Sequence, residues 1–386
     1  MVKSSEFASF GAIDKYVQGK NLLLHCADFI RRFGKKALIV TDSTVYKIIG
    51  QDLQNYLNKN GFSVEYSEFN GESSMEEINR IVKIAKEKNT EFIISLGGGK
   101  ALDTGKGVAF KLSLPDVIAP TAASCDSACI PLSIIYTPQH EFVQYLNYPH
   151  HAELVLVDTQ VCANAPTRTL LAGIGDAFAS YYECLEVQKT HGFTLMNARQ
   201  SQAGIGLVTR CNEILWKYAY QALEASKSNV VDTALDKVVE ASVLLSGTGS
   251  ENAGIAAAHS IYDGWSLLEG DPTKFRHGEE VVLGIMIQMM LDGTPTDRLN
   301  KFIKFFLTCG FPLTSKDFHL DKINHDDLYA FAKKATSPGE TIENMPQRSK
   351  KITPDMLLDA LKGSDAAVET YKRNHDIKPI FEDKVF

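Results

Sequence analysis

The chain has 386 residues, of which 44% are apolar and 23% charged, and its net charge is −7. At roughly 100 to 200 residues per domain this is too long for one compact core, and the composition is that of a globular protein without a disorder signature. The charge is spread along the chain, and no cluster of Lys and Arg offers a footprint for nucleic acid or an acidic membrane, so small molecules are the expected partners.

The opening segment "MVKSSEFASFGAIDKYVQGK" has neither the apolar core nor the small-residue cleavage site of a signal peptide. No later stretch supplies the about 18 uncharged apolar residues of a membrane span, and the protein reads as cytoplasmic. Its seven cysteines are scattered from Cys26 to Cys309 without the spacing of a disulfide framework. Cys125 and Cys129 are the one close pair; a lone C-x3-C is a poor zinc knuckle, and both read as small buried thiols.

Strands are predicted at "KALIVTD" (Lys36 to Asp42), "SVEYSEF" (Ser63 to Phe69), "EFIISLGGG" (Glu91 to Gly99) and "DVIAPT" (Asp116 to Thr121). The first three are each followed by a helical pattern, which implies a parallel sheet with crossover helices. "LSIIYTPQHEFVQYLNYP" (Leu132 to Pro149) reads as a hairpin turning near Pro138, and "ELVLVDT" (Glu153 to Thr159) as the last strand. Beyond it apolar residues recur at helical spacing almost to the end. Pro166 suits a first helical turn and divides the chain into an α/β domain, 1–165, and a helical domain, 166–386.

Three consecutive glycines in "FIISLGGGKALDTGKG" lie between a predicted strand and a predicted helix. There the backbone can approach a ligand closely, and the amides and positive dipole end of the helix suit a phosphate or pyrophosphate. The spacing is neither G-x-G-x-x-G nor that of a Walker loop, because Lys106 is followed by Gly107 where the latter needs Ser or Thr. Asp42, at the end of the first predicted strand, is read in two ways: as an acceptor for a ribose hydroxyl, favouring NAD over NADP, or as the cap of the next helix.

In "LLAGIGDAFASYYE" a carboxylate, Asp176, is placed in the first turns of an apolar helix, where it needs a partner. His259 stands among alanines on a helix read from "NAGIAAAHSIYDGW", and His277 opens another after a loop of Gly, Asp and Pro. A lone histidine on an apolar face is more often a hydrogen-bonded core residue than a ligand; three such residues in one half of the chain make a metal site the alternative.

"GGGKALDTGKG", "APTAASCDSA", "AGIGDAFASYYE", "AAAHSIYDG" and "RHGEEVVLG", in this order, resemble the glycerol dehydrogenase branch of the iron-containing alcohol dehydrogenase superfamily. The resemblance spans nearly the whole chain. It implies an amino-terminal parallel-sheet dinucleotide-binding domain, an all-helical carboxy-terminal domain in a dehydroquinate synthase-like architecture, and an active site in the cleft between them. It further implies that Asp176, His259 and His277 are metal ligands, that Asp42, Gly98, Gly99, Asp103, Thr121, Ser124, Leu132 and Tyr136 line the NAD site, and that Asp126 faces the substrate. Iron-type members carry a further histidine one helical turn before the position of His259. Ile255 stands there here, so Zn2+ is the implied metal.

The implied activity is NAD-dependent oxidation of a small polyol or vicinal diol, glycerol to dihydroxyacetone being the leading case, by zinc-assisted hydride transfer in a homo-oligomer. Lys274 and Arg276, beside His277, support an alternative anionic substrate, a 2-hydroxy acid or glycerol 1-phosphate. A lyase resembling dehydroquinate synthase is the alternative outside redox chemistry.

Overall fold

β-Branched and aromatic runs make the strands of the amino-terminal half, in a computed structural model that describes residues 6–268, 275–346 and 351–382. They are β1 (Tyr16–Gly19), β2 (Lys36–Thr41), β3 (Ser63–Glu68), β4 (Phe92–Gly97), β5 (Asp116–Pro120), β6 (Leu132–Tyr136), β7 (Phe142–Asn147) and β8 (Leu154–Asp158). Six of them form one sheet in the order β1-β8-β5-β4-β2-β3, every pair parallel, while β6 and β7 form a separate antiparallel hairpin. The hairpin reverses between Thr137 and Glu141, whose backbones pair at 2.7 Å.

Parallel strands covered on both faces must be apolar on both, and β4 and β8 are buried along their whole length. Successive side chains point to opposite faces. Ala37 and Ile39 therefore pack with Leu53 and Leu57 of the Gln51–Lys59 helix, whereas Leu38 and Val40 pack with Ile78 and Ile81 of the Met75–Glu87 helix and Val108 of the Gly99–Leu112 helix. The edge strand β1 is absent from the sequence reading: its four residues, all half-buried, are too few to show an alternation.

Beyond Asp158 the described residues contain helices and no strand. Asp158 caps a short helix, Thr159–Asn164, and Pro166 stands at the start of the long Thr167–Thr190 helix. Asp176 lies in the third turn of that helix, deeper than the first turns read from sequence, because the helix begins at Thr167, ahead of the apolar run. The predicted helix through "NAGIAAAHSIYDGW" is in fact two, Ser246–Ala253 and Ala257–Gly264. Gly254 breaks it at φ +82°, and a Cβ there would also stand 3.0 Å from the Phe193 carbonyl oxygen. Ile255 consequently lies in the break.

Ile118, Val155 and Val157 of the sheet share one apolar cluster with Leu170, Ile174 and Phe178 of the long helix, so the sheet and the helices are packed directly on each other. Cys129 is buried within this cluster; Cys125, read as buried, is half-buried, with its thiol 3.3 Å from the Ser127 hydroxyl. All seven cysteines are free.

Candidate metal centre and dinucleotide cleft

Leaving β1 aside, the strand order reverses between β2 and β4, the position at which doubly wound sheets open a crevice at their carboxyl ends. Asp42 follows β2, the glycines end β4, and Thr121 follows β5, its amide donating to the Gly97 carbonyl at 3.0 Å. Gly97 has φ +147°, and a Cβ on it would meet the Ala101 Cβ at 2.9 Å; a Cβ on Gly98 would meet nothing within 4 Å. Gly98 is the N-cap of the Gly99–Leu112 helix and provides no side-chain cap, which leaves that helix start suited to an anionic group.

Asp42 Oδ1 accepts from the Thr44 and Val45 amides at 2.9 and 3.0 Å, so it is a helix cap. Its other oxygen takes no part in the cap. Ser124 is half-buried in the loop after β5, and Leu132 and Tyr136 are the two ends of β6. Asp103 differs from the other seven. It is 5% exposed, its Oδ1 receives Lys106 Nζ at 2.9 Å and its Oδ2 the Ile134 amide at 3.0 Å. Lys106 Nζ also donates to the Ser127 and Leu132 carbonyls, so Asp103 and Lys106 clamp the hairpin to the glycine helix.

Three helices deliver the metal-type donors. Asp176 comes from Thr167–Thr190, His259 from the first turn of Ala257–Gly264, and His277 is the first residue of His277–Asp292. Their ligand atoms lie within 4.8 Å of one another, and no other such group of His, Cys, Asp or Glu occurs among the described residues. Asp176 Oδ1 is 3.1 Å from His277 Nε2 and 3.5 Å from His259 Nε2. Burial by itself would raise the Asp176 pKa, but the charges of His277 and His259 and their hydrogen bonds hold it below the usual carboxylate range. Burial pulls His259 down, but Glu183 and Asp176 together raise it well above the ordinary imidazole value. One carboxylate and two imidazoles around one point are a chemically suitable set for a divalent ion with an open coordination position.

Asp126 adjoins this cluster: its amide donates to Asp176 Oδ2 at 3.1 Å. Its own carboxylate accepts from Ser250 Oγ at 3.2 Å and Ser246 Oγ at 3.3 Å, and burial, reinforced by the charge of Asp176, pushes it up to about 7.

Residues 14–159 match the iron-containing alcohol dehydrogenase family. Over 352 residues the chain is 38% identical to a glycerol dehydrogenase of Thermotoga maritima, covering 91% of this chain and 95% of the relative. It is 36% identical over 356 residues to a glycolaldehyde reductase of Halobacterium salinarum, covering 92% and 96%. The crystal structure of glycerol dehydrogenase from Schizosaccharomyces pombe matches with a TM-score of 0.91 at 32% identity, covering 98% of this chain and 96% of that one. The chain belongs to the iron-containing alcohol dehydrogenase family. It is an NAD-linked, metal-dependent dehydrogenase of the alcohol dehydrogenase type.

Several residues of this family member that hold the site in place were missed from sequence. Glu183, on the same face of the helix as Asp176, receives His259 Nδ1 at 2.5 Å. Gln288, the one uncharged polar residue in "VVLGIMIQMML", accepts from the Ala257 and Ala258 amides at 3.1 and 3.2 Å. Arg168 pairs with Glu279 through two bonds of 2.7 and 2.8 Å, and Glu279 in turn accepts the Arg276 amide, which fixes the helix start that carries His277. Tyr262 meets the His277 ring edge-on at 4.2 Å. Tyr145 of the hairpin donates to Asp263 at 2.7 Å, linking β7 to the His259 helix. The only local signal for Glu183 and Gln288 is a polar residue on an otherwise apolar helical stretch. Arg276 is exposed at the helix N-cap, and Lys274 lies outside the described residues.

Proposed function

We propose that the protein oxidises glycerol or a closely similar vicinal diol, with NAD as hydride acceptor and zinc as the metal. The observation that carries this reading is the convergence of Asp176, His259 and His277 beside Asp126. The glycerol dehydrogenases among the relatives support the substrate, and the comparisons do not favour the anionic and lyase alternatives. The three-donor set with Ile255 in a helix break favours zinc over iron.

In this reading the Gly98–Gly99 turn receives the pyrophosphate, and the free oxygen of Asp42 accepts a ribose hydroxyl. Thr121, Ser124, Leu132 and Tyr136 line the rest of the cofactor site, with Asp103 acting through its clamp on the hairpin. Asp126 accepts a hydrogen bond from the hydroxyl next to the one that reacts, which orients a diol. A divalent ion held by the three donors supplies Lewis-acid polarisation of an alcohol oxygen. We place the domain boundary at 165/166, and propose a cytoplasmic homo-oligomer, the free cysteines agreeing with a reducing compartment.

Initial rates of NAD reduction with glycerol, 1,2-propanediol, 2-hydroxybutyrate and glycerol 1-phosphate, on metal-stripped protein with and without added Zn2+, test the reading. Activity on the two diols that depends on zinc is the expected result. Oxidation of 2-hydroxybutyrate with glycerol ignored overturns it.

A further inference from the structure

The helix that carries His259 has no cap of its own: its N-cap residue is Ala256, which has no polar side chain. Its four leading amides are nevertheless satisfied, by side chains from two other helices. Glu183 Oε1 accepts from Ala256 and His259 at 2.9 and 3.0 Å, and Gln288 Oε1 accepts from Ala257 and Ala258. The helices that supply Asp176 and His277 therefore also cap the helix of the third donor. Glu183 does something further that Gln288 does not. Its Oε2 lies 2.5 Å from His259 Nδ1, placed to accept a hydrogen bond from it, and the side chain is fully buried.

From this geometry we infer that Glu183 is a positioning residue that fixes the tautomer of His259 and thereby sets the affinity of the centre for its metal. With Nδ1–H donated to Glu183, the neutral ring carries its lone pair on Nε2, 3.5 Å from Asp176 Oδ1, where the other two donors converge. Three N–H groups point at Glu183, and a carboxylate can accept from all of them. A carboxamide of the same shape has a single acceptor oxygen, and its NH2 can only donate to Nδ1, which moves the ring proton to Nε2 and blocks the ligand position. The negative charge of Glu183 also makes the imidazole a stronger ligand.

The inference rests on the metal reading above, and the experiment separates the two. Metal-free full-length protein, E183Q and Q288A are titrated with Zn2+ against a chromophoric chelator, with thermal melts of each metal-free form. E183Q binds zinc about 10- to 100-fold more weakly than the parent. Q288A, which loses two helix caps but keeps the ring acceptor, melts earlier and binds zinc with little change. A parent that does not bind zinc sinks the metal reading and this inference with it. A parent that binds, with E183Q equal to it or weakened no more than Q288A, overturns the inference alone. A second measurement does not depend on any variant folding. In imidazole 15N–1H spectra of the zinc-loaded parent, the His259 proton resides on Nδ1, and a loaded His259 without that proton overturns the proposal.

Discussion

Asp126 and Asp42 each carry a carboxylate to which the proposed function gives a second task. Asp126 already accepts from two serine hydroxyls, and its burial beside Asp176 shows that the fold keeps an acid close to the metal donors at an electrostatic penalty. A hydrogen bond to a charged acceptor contributes about 1.5 to 3 kcal/mol, roughly ten- to a hundred-fold in catalytic efficiency. Asp126→Asn is expected to lower kcat/KM for glycerol and 1,2-propanediol by that factor and to affect 2-propanol, which has no second hydroxyl, much less. Equal losses on all three alcohols would remove Asp126 from diol recognition. At Asp42 the cap occupies Oδ1 alone, so helix capping and ribose binding are compatible uses of one side chain. A carboxylate there repels a 2′-phosphate, and Asp42→Gly is expected to narrow the preference for NAD over NADP, read as the ratio of kcat/KM for the two cofactors.

Among the elements, β5 contains an acid whose titration is set by the fold. Asp116, its first residue, is buried, accepts from Ser95 Oγ at 2.7 Å through Oδ1, and has no partner for Oδ2. Desolvation pushes it from the ordinary 3.8 up to about 7, against the opposing hydrogen bond of Ser95 and the charge of Lys106. Because the folded value is the higher one, the native state binds the proton more tightly. That contribution is complete below the unfolded value and is lost as pH rises through about 7. Asp116→Asn removes the titration, so its stability relative to the parent is expected to rise between about pH 4 and pH 7, by at most about 1.4 kcal/mol per pH unit. Urea denaturation of both proteins across that range measures it; a constant difference would mean that Asp116 titrates normally. The hairpin β6–β7 depends on a different buried group, Lys106, whose ammonium is satisfied by Asp103 and two carbonyls, and it reaches the His259 helix through Tyr145.

At the scale of the whole molecule, the candidate metal donors come from three helices, with Asp176 and His277 separated by 101 positions in sequence. An ion bound there joins three helices that the unfolded chain does not hold together, and a ligand specific to the native state stabilises it by about 2.7 kcal/mol at roughly 100 times its Kd. Zn2+ is therefore expected to raise the melting temperature of the metal-free parent. His259→Ala should lose that rise and all turnover while still binding NADH, as followed by nucleotide fluorescence; an undiminished zinc shift in the variant would show that the ion binds elsewhere. Much of this architecture was legible in the sequence because it is encoded in local pattern. Apolar runs such as "FIISLGGG" and "ELVLVDT" specify strands buried on both faces, Pro166 marks a helix start, and the glycine triplet marks a close turn. The residues of the candidate metal centre and cofactor site came from the order of motifs along the chain, since neither Asp176 nor His259 differs in local pattern from a core residue with an internal partner. What only the tertiary structure decided depends on contacts between distant segments. β1 exists because β8 offers it an edge, and the helix before His259 breaks where Gly254 can take a positive φ against Phe193. Asp103, read as a cofactor residue, pairs with Lys106, and Glu183 and Gln288 supply the caps that Ala256 cannot. Periodicity records which face of a helix is buried, whereas the partner of a buried polar atom is set by which other helix packs against that face.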